Sequence, residues 1–189
     1  MGAVQGARAS DDRWVFYGLV GLLVWSPIPL GSNRPWALAL LEAGLFLLAL
    51  LWLAQAWRGR VSVTGAAVKA RWVLVLLGAW SIFGLFQLVP LPPVLVELVS
   101  PASAAHWRET RAILRLAESP ASMSISLDPF ASRERWRLGL ALVTLFVLCL
   151  LLVRSRRRLR FLVGALVLAA VIQAMLASLL ALTGSGLGF

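Results

Sequence analysis

Five apolar blocks, each 17 to 22 residues long, dominate the sequence: Trp14 to Leu30, Trp36 to Trp57, Trp72 to Leu91, Trp136 to Val153 and Phe161 to Leu182. A helix needs about 20 apolar residues to cross the hydrocarbon of a bilayer. In lipid only a structure that pairs all of its own backbone polar groups survives, so blocks of this length are expected to be helices. The expected architecture is therefore an all-α polytopic membrane protein, with five transmembrane helices in a single transmembrane domain over residues 1–189. Composition agrees, because 60% of residues are hydrophobic and 14% charged, against roughly 45–50% and 25% in soluble domains. A soluble globular fold is excluded.

The breaks between blocks carry turn chemistry. The first block follows Arg8 and Arg13, as in a secretory leader, but runs into Ser26-Pro27-Ile28-Pro29-Leu30-Gly31-Ser32-Asn33-Arg34-Pro35 without a small-residue cleavage site. Proline removes a backbone donor and disfavours helix just before it, so this reads as the exit of an uncleaved first span. The third block closes at Pro90, Pro92 and Pro93, and the fifth runs out into a glycine-rich end.

Net charge is +10, with arginine as every basic residue except Lys69. Such a balance can mark nucleic-acid binding, but here the arginines are placed as topology signals, and no nucleic-acid partner is expected. Arg58, Arg60, Lys69 and Arg71 join blocks two and three without an acidic residue, and Arg154, Arg156, Arg157, Arg158 and Arg160 join blocks four and five. Loops this basic are retained in the cytoplasm. The turn holding Arg34 and the long segment 92–135 then face outward, with the amino terminus inside and Phe189 outside. Trp14, Trp36, Trp57, Trp72 and Trp136 stand at the expected boundaries, where an amphipathic ring prefers the headgroup layer.

Few residues offer chemistry. In the outer segment Ser100-Pro101 is a plausible helix start, and on a helical projection Arg108, Arg111, Arg115 and Glu118 share one face, as in an amphipathic helix lying on the membrane. The arginine row can meet phosphates through bidentate guanidinium pairs; a solvated or headgroup-facing edge is the commoner use of such a row. Arg34, held beside Asn33 at the outer face, is either an interfacial anchor or a phosphate contact. Glu42 lies about two turns into the second block, where a carboxylate is costly and calls for a partner or a function. Gln173 shares a row spaced by four with Ala165, Ala169, Ala177 and Ala181, so it reads as an amide bonding across a close helix contact. His106 is the only histidine and Cys149 the only cysteine. No metal site of several histidines can be built, no metal or cofactor is expected, and no phosphate-loop, HExxH or serine-elbow pattern occurs.

Two stretches, Pro27-Ile28-Pro29-Leu30-Gly31-Ser32-Asn33-Arg34-Pro35-Trp36 and Ile125-Ser126-Leu127-Asp128-Pro129-Phe130-Ala131-Ser132-Arg133-Glu134, together with Phe86-Gln87-Leu88-Val89-Pro90-Leu91-Pro92, resemble the amino-terminal region of O-antigen ligase/polymerase-like proteins of bacterial inner membranes. The resemblance implies that the segment 92–135 is periplasmic and that the partner is an undecaprenyl-pyrophosphate-linked glycan, transferred without a metal during surface or exopolysaccharide assembly. Family members are larger, and their catalytic arginines and histidines cluster in a carboxy-terminal half that this sequence does not reach. The chain is then expected to be an amino-terminal fragment or a truncated product that meets further spans, with Arg34, Arg108, Arg111 and Arg115 as supporting pyrophosphate contacts. A non-catalytic membrane subunit or part of a transporter is the competing reading; broken half-helices at mid-membrane would favour transport, and the prolines lie at span ends instead.

Overall fold

A computed structural model describes residues 12–27, 34–113 and 122–182. Eight α-helices account for most of them: α1 (Arg13–Trp25), α2 (Pro35–Trp57), α3 (Gly65–Lys69), α4 (Arg71–Phe86), α5 (Pro93–Val99), α6 (Pro101–Ile113), α7 (Pro129–Leu152) and α8 (Arg156–Leu182). Four stretches are long and apolar enough to cross a membrane: Pro35–Trp57, Arg71–Leu88, Pro129–Leu152 and Arg156–Leu179. Their apolar side chains point largely outward, as with Leu50, Leu76 and Ile82, each at least 63% exposed. An all-helical fold that leaves its longest apolar helices uncovered fits a lipid solvent.

The boundaries depart from the expected ones, and each departure has a local cause. The first block forms a described helix of only 13 residues, about 20 Å at 1.5 Å per residue and so short of the roughly 30 Å hydrocarbon. It stops at Trp25, before Pro27, with the Ser26 N–H donating to the Leu22 carbonyl. Residues 28–33, and with them the rest of the expected first span, lie outside the described residues. The described residues thus carry four spanning helices rather than five.

The third span ends early. Its helix stops at Phe86, and Leu91, expected inside the span, instead exchanges two 2.8 Å backbone hydrogen bonds with Met123 in an isolated antiparallel bridge. The prolines at 90, 92 and 93 cannot continue the helical ladder, which frees Leu91 for this pairing. The fourth span starts earlier than Trp136, at Pro129: Asp128 caps α7 by accepting the Ala131 N–H at 3.0 Å, and proline fits the first helical turn. The fifth starts at Arg156 rather than Phe161, because Ser155 caps it through the Arg158 N–H at 3.3 Å. Arginine does not break a helix; the apolar blocks mark the membrane portion of a longer rod. In the outer segment α6 does begin after Ser100, but α5, not foreseen, precedes it.

The structure divides into two compact units, one of residues 1–70 with 144–189 and one of residues 71–143. In the first, α1 and α2 run antiparallel and interlock leucine on glycine. A β-carbon at Gly18 would stand 2.9 Å from Leu48 Cδ2, and one at Gly44 the same distance from Leu22 Cδ1. Small residues let helix backbones approach this closely. Helix α8 runs parallel to α1, since Arg158 meets Asp12 and Gln173 meets Pro27, 146 positions apart in both cases. The connection after α2 is tied to the end of α7, where the Thr64 hydroxyl donates to the Leu150 carbonyl at 2.6 Å.

The second unit interlocks tryptophan on glycine. Along the antiparallel pair of α4 and residues 129–143 of α7, Trp136 covers Gly84 and Trp80 covers Gly139, with a β-carbon at either glycine only 2.6–2.7 Å from the ring. The Trp136 indole N–H also donates to the Ser81 carbonyl at 2.8 Å. Outside this pair, Val96 of α5, Ala104 of α6 and Met123 form a small core that Leu91 and Trp107 flank.

Candidate functional sites

Among the described residues, each unit has a recess in which arginines meet aromatic side chains. That of the second unit has a volume of about 290 Å³. The Leu91–Met123 bridge fixes its floor, and Ser126 N–H donates to the Gln87 carbonyl at 3.2 Å, so the stretch 122–128 is fastened to the end of α4. Trp107 of α6 reaches this stretch through its indole N–H, 3.0 Å from the Ser124 carbonyl. The Ser126 and Ser132 hydroxyls, 2.7 Å apart, fasten it to the first turn of α7. These ties bring Arg111 from α6 and Arg133 from α7 to one rim, with Trp107, Met123 and Pro129 forming walls.

The expected row of arginines is divided. Arg111 lines the recess, whereas Arg108 is exposed and pairs with Glu97 of α5 at 3.4 Å. The reason is the packing of α6: Ala104 and Trp107 face the small core, which carries Arg111, one turn beyond Trp107, inward and leaves Arg108 on the side of α5. Arg115 and Glu118 lie outside the described residues. Arg34 belongs to the first unit, where it is exposed and its carbonyl accepts the Ala37 and Leu38 N–H groups at the start of α2. His106 stands 3.7 Å from Glu109 on the exposed side of α6.

In the sequence Arg133 stands out only as part of the stretch Ile125 to Glu134 that carries the family resemblance. Asp128-Pro129, an N-cap followed by a proline, was the signal that could have placed it on a helix.

In the first unit the organising residue is Asp12, fully buried at the start of α1. The Arg158 guanidinium grips its carboxylate with two nitrogens, at 2.8 and 3.2 Å, and Arg154 Nε stands 2.9 Å away. Arg158 also donates to the Leu152 carbonyl at 2.8 Å and lies 5.1 Å over the Phe16 ring, while Arg154 donates to the Ser62 carbonyl at 2.6 Å. The start of α1, the connection after α2 and the connection between α7 and α8 therefore meet at one end of this unit. Asp12 gave no sequence signal. Beside an apolar block, a carboxylate that will be buried reads the same as one in water.

Beside this ion-pair network lies a second recess of about 440 Å³, lined by Arg13, Phe16, Tyr17, Arg157, Arg158 and Phe161, with Ser155 at its edge. Phe16, Tyr17 and Phe161 meet edge to face or tilted, with ring centroids 5.6–6.3 Å apart.

The two intramembrane polar residues occupy different settings. Glu42 is buried at 7% exposure on the same side of α2 as Leu45 and Trp52. Gln173 is exposed and donates its side-chain amide to the Pro27 carbonyl at 3.0 Å, supplying a donor to the end of α1 where the helix has none. Among the described residues no group of three histidine, cysteine or carboxylate side chains could hold a metal.

Comparison with known proteins adds no identity: no family model, no curated protein and no solved structure matches the sequence. Both recesses set guanidinium groups beside aromatic side chains: Arg111 and Arg133 with Trp107 in one, Arg13, Arg157 and Arg158 with Phe16, Tyr17 and Phe161 in the other.

Proposed function

We propose that the chain is the amino-terminal membrane region of an O-antigen ligase-like protein, and that the recess of the second unit receives the anionic part of an undecaprenyl-pyrophosphate-linked glycan. In this reading the protein lies in a bacterial inner membrane with the amino terminus cytoplasmic and the segment around α5 and α6 periplasmic. Five spans include residues 14–30, and transfer itself is completed by further spans. The observation that supports the reading is the convergence of Arg111 and Arg133, from two separate helices, beside the Trp107 indole. Planar guanidinium groups pair with pyrophosphate oxygens in bidentate fashion, and an indole face is a platform for a sugar ring. Arginines so placed would stabilise charge developing on the pyrophosphate as the acceptor hydroxyl displaces it. The family likeness in the stretches around Pro27 and Asp128 selects the glycan carrier over other anions.

The test is glycan transfer in membranes carrying the full-length protein with Arg111→Gln and Arg133→Gln together. Transfer should fall at least about tenfold, the effect of losing one charge-assisted contact of about 1.4 kcal/mol or more, with unchanged protein in the membrane. Lysine at both positions should restore little, because it keeps the charge and loses the fork. Undiminished transfer at equal expression would reject the reading and leave the chain as a non-catalytic membrane subunit or part of a transporter.

A further inference from the structure

The arginine recess of the first unit has no part in that reading, and among the described residues its arginines outnumber the carboxylates that pair with them. Arg154 and Arg158 hold the buried carboxylate of Asp12 between them, while Arg13 and Arg157 line the recess together with Arg158. Among the described residues none supplies a carboxylate to Arg13 or Arg157, although both line the same cavity. Three features turn this excess into a site. The Arg158 guanidinium is fixed by Asp12, the Leu152 carbonyl and the Phe16 ring, so its position is set before any ligand arrives. The Ser155 hydroxyl accepts the Arg158 N–H at the start of α8 and keeps its own hydrogen to donate. Phe16, Tyr17 and Phe161 wall the cavity and thin out the water that would otherwise screen the charges.

We propose that this recess binds a phosphate group, held by Arg13 and Arg157 against the fixed Arg158, at the end of the unit where the two arginine-rich connections meet. The ligand chemistry is a phosphate monoester or diester. A free phosphate ion and the headgroup of an anionic lipid share that chemistry, and Tyr17 and Phe161, each about half exposed, lie where the acyl side of a lipid would pass. A cavity of 440 Å³ is within the span of roughly 300–1,000 Å³ of small-ligand sites, and basic groups close to a bilayer surface favour anionic headgroups.

Native mass spectrometry of the whole protein in a neutral detergent, titrated with phosphatidylglycerol and separately with inorganic phosphate, tests the site. Arg13→Gln with Arg157→Gln should weaken retention of the phosphate ligand about tenfold. The charge-matched pair Arg58→Gln with Lys69→Gln, outside the recess, should leave it unchanged. Retention of the lipid that inorganic phosphate does not displace assigns the recess to a headgroup; saturation by inorganic phosphate alone assigns it to the free ion. Either result supports the site. Should the double variant fail to accumulate, Arg157→Lys reads the same question, since lysine keeps the charge without the fork and should bind more weakly. Equal binding of lipid and phosphate by wild type and recess variants, or equal loss in the charge-matched control, would overturn it.

Discussion

The two units solve one packing problem in two ways. In both, a pair of antiparallel helices places a large side chain of each on a glycine of the other: Leu48 on Gly18 and Leu22 on Gly44 in the first, Trp136 on Gly84 and Trp80 on Gly139 in the second. Leucine brings dispersion and shape but no polar handle. Tryptophan brings a larger ring and an N–H that can find a backbone carbonyl, as Trp136 does at Ser81. The first unit supplies its directional interactions elsewhere, at the end of the helices, through Asp12, Arg154 and Arg158. Where lipid tails are as apolar as leucine, burial alone does not hold helices together. Each unit therefore couples close backbone approach to a small number of hydrogen bonds, and differs in whether these lie along the helices or at their ends.

If the end network holds the first unit, Asp12→Ala should have the largest effect of any single change, since it leaves two arginines facing one another without their carboxylate. Loss of one partner of a buried ion pair costs about 3–5 kcal/mol. We expect little folded protein to be extracted in mild detergent, read by the monodisperse fraction on size exclusion, while Asp12→Asn, which also loses the charge but keeps two hydrogen-bonding atoms, should be less severe. A normal yield for the alanine variant would mean that the leucine–glycine contacts suffice.

Enlarging a glycine sharpens the comparison at the next level. Gly84→Val places new atoms where Trp136 already stands, 2.7 Å from the β-carbon position, and overpacking costs about 1–3 kcal/mol. Gly18→Val meets the end of the flexible Leu48 side chain at 2.9 Å, which can turn aside. The tryptophan-based pair should lose more thermal stability than the leucine-based pair, measured as the melting temperature in the same detergent. An equal or reversed loss would show that side-chain rigidity does not distinguish them.

The smallest effect is expected at Gln173→Leu, which removes the donor to the Pro27 carbonyl. Helix-to-helix hydrogen bonds in membranes average about 0.6 kcal/mol, so a shift of a few degrees at most is expected. A loss as large as that of Asp12→Ala would move the centre of gravity of the first unit from the ion pair to this contact.

The sequence by itself determined the class of the protein and the approximate places of four spanning helices, because burial in lipid constrains composition over 20 residues and leaves a signal that needs no tertiary partner. It also marked Ser100-Pro101 as the start of α6, since a cap and a first-turn proline act within a few residues. Tertiary structure decided the rest. The prolines end the third span locally, but that Leu91 then pairs with Met123 is a tertiary outcome; Arg108 and Arg111, neighbours on one face, parted because Glu97 drew one while the packing of Ala104 and Trp107 turned the other into a recess beside Arg133. Asp12 became the centre of the first unit only when α8 laid Arg158 beside α1, across 146 residues of chain. Hydropathy and capping are local sums that can be read along a chain, whereas the partner of a charge is fixed by which helices meet.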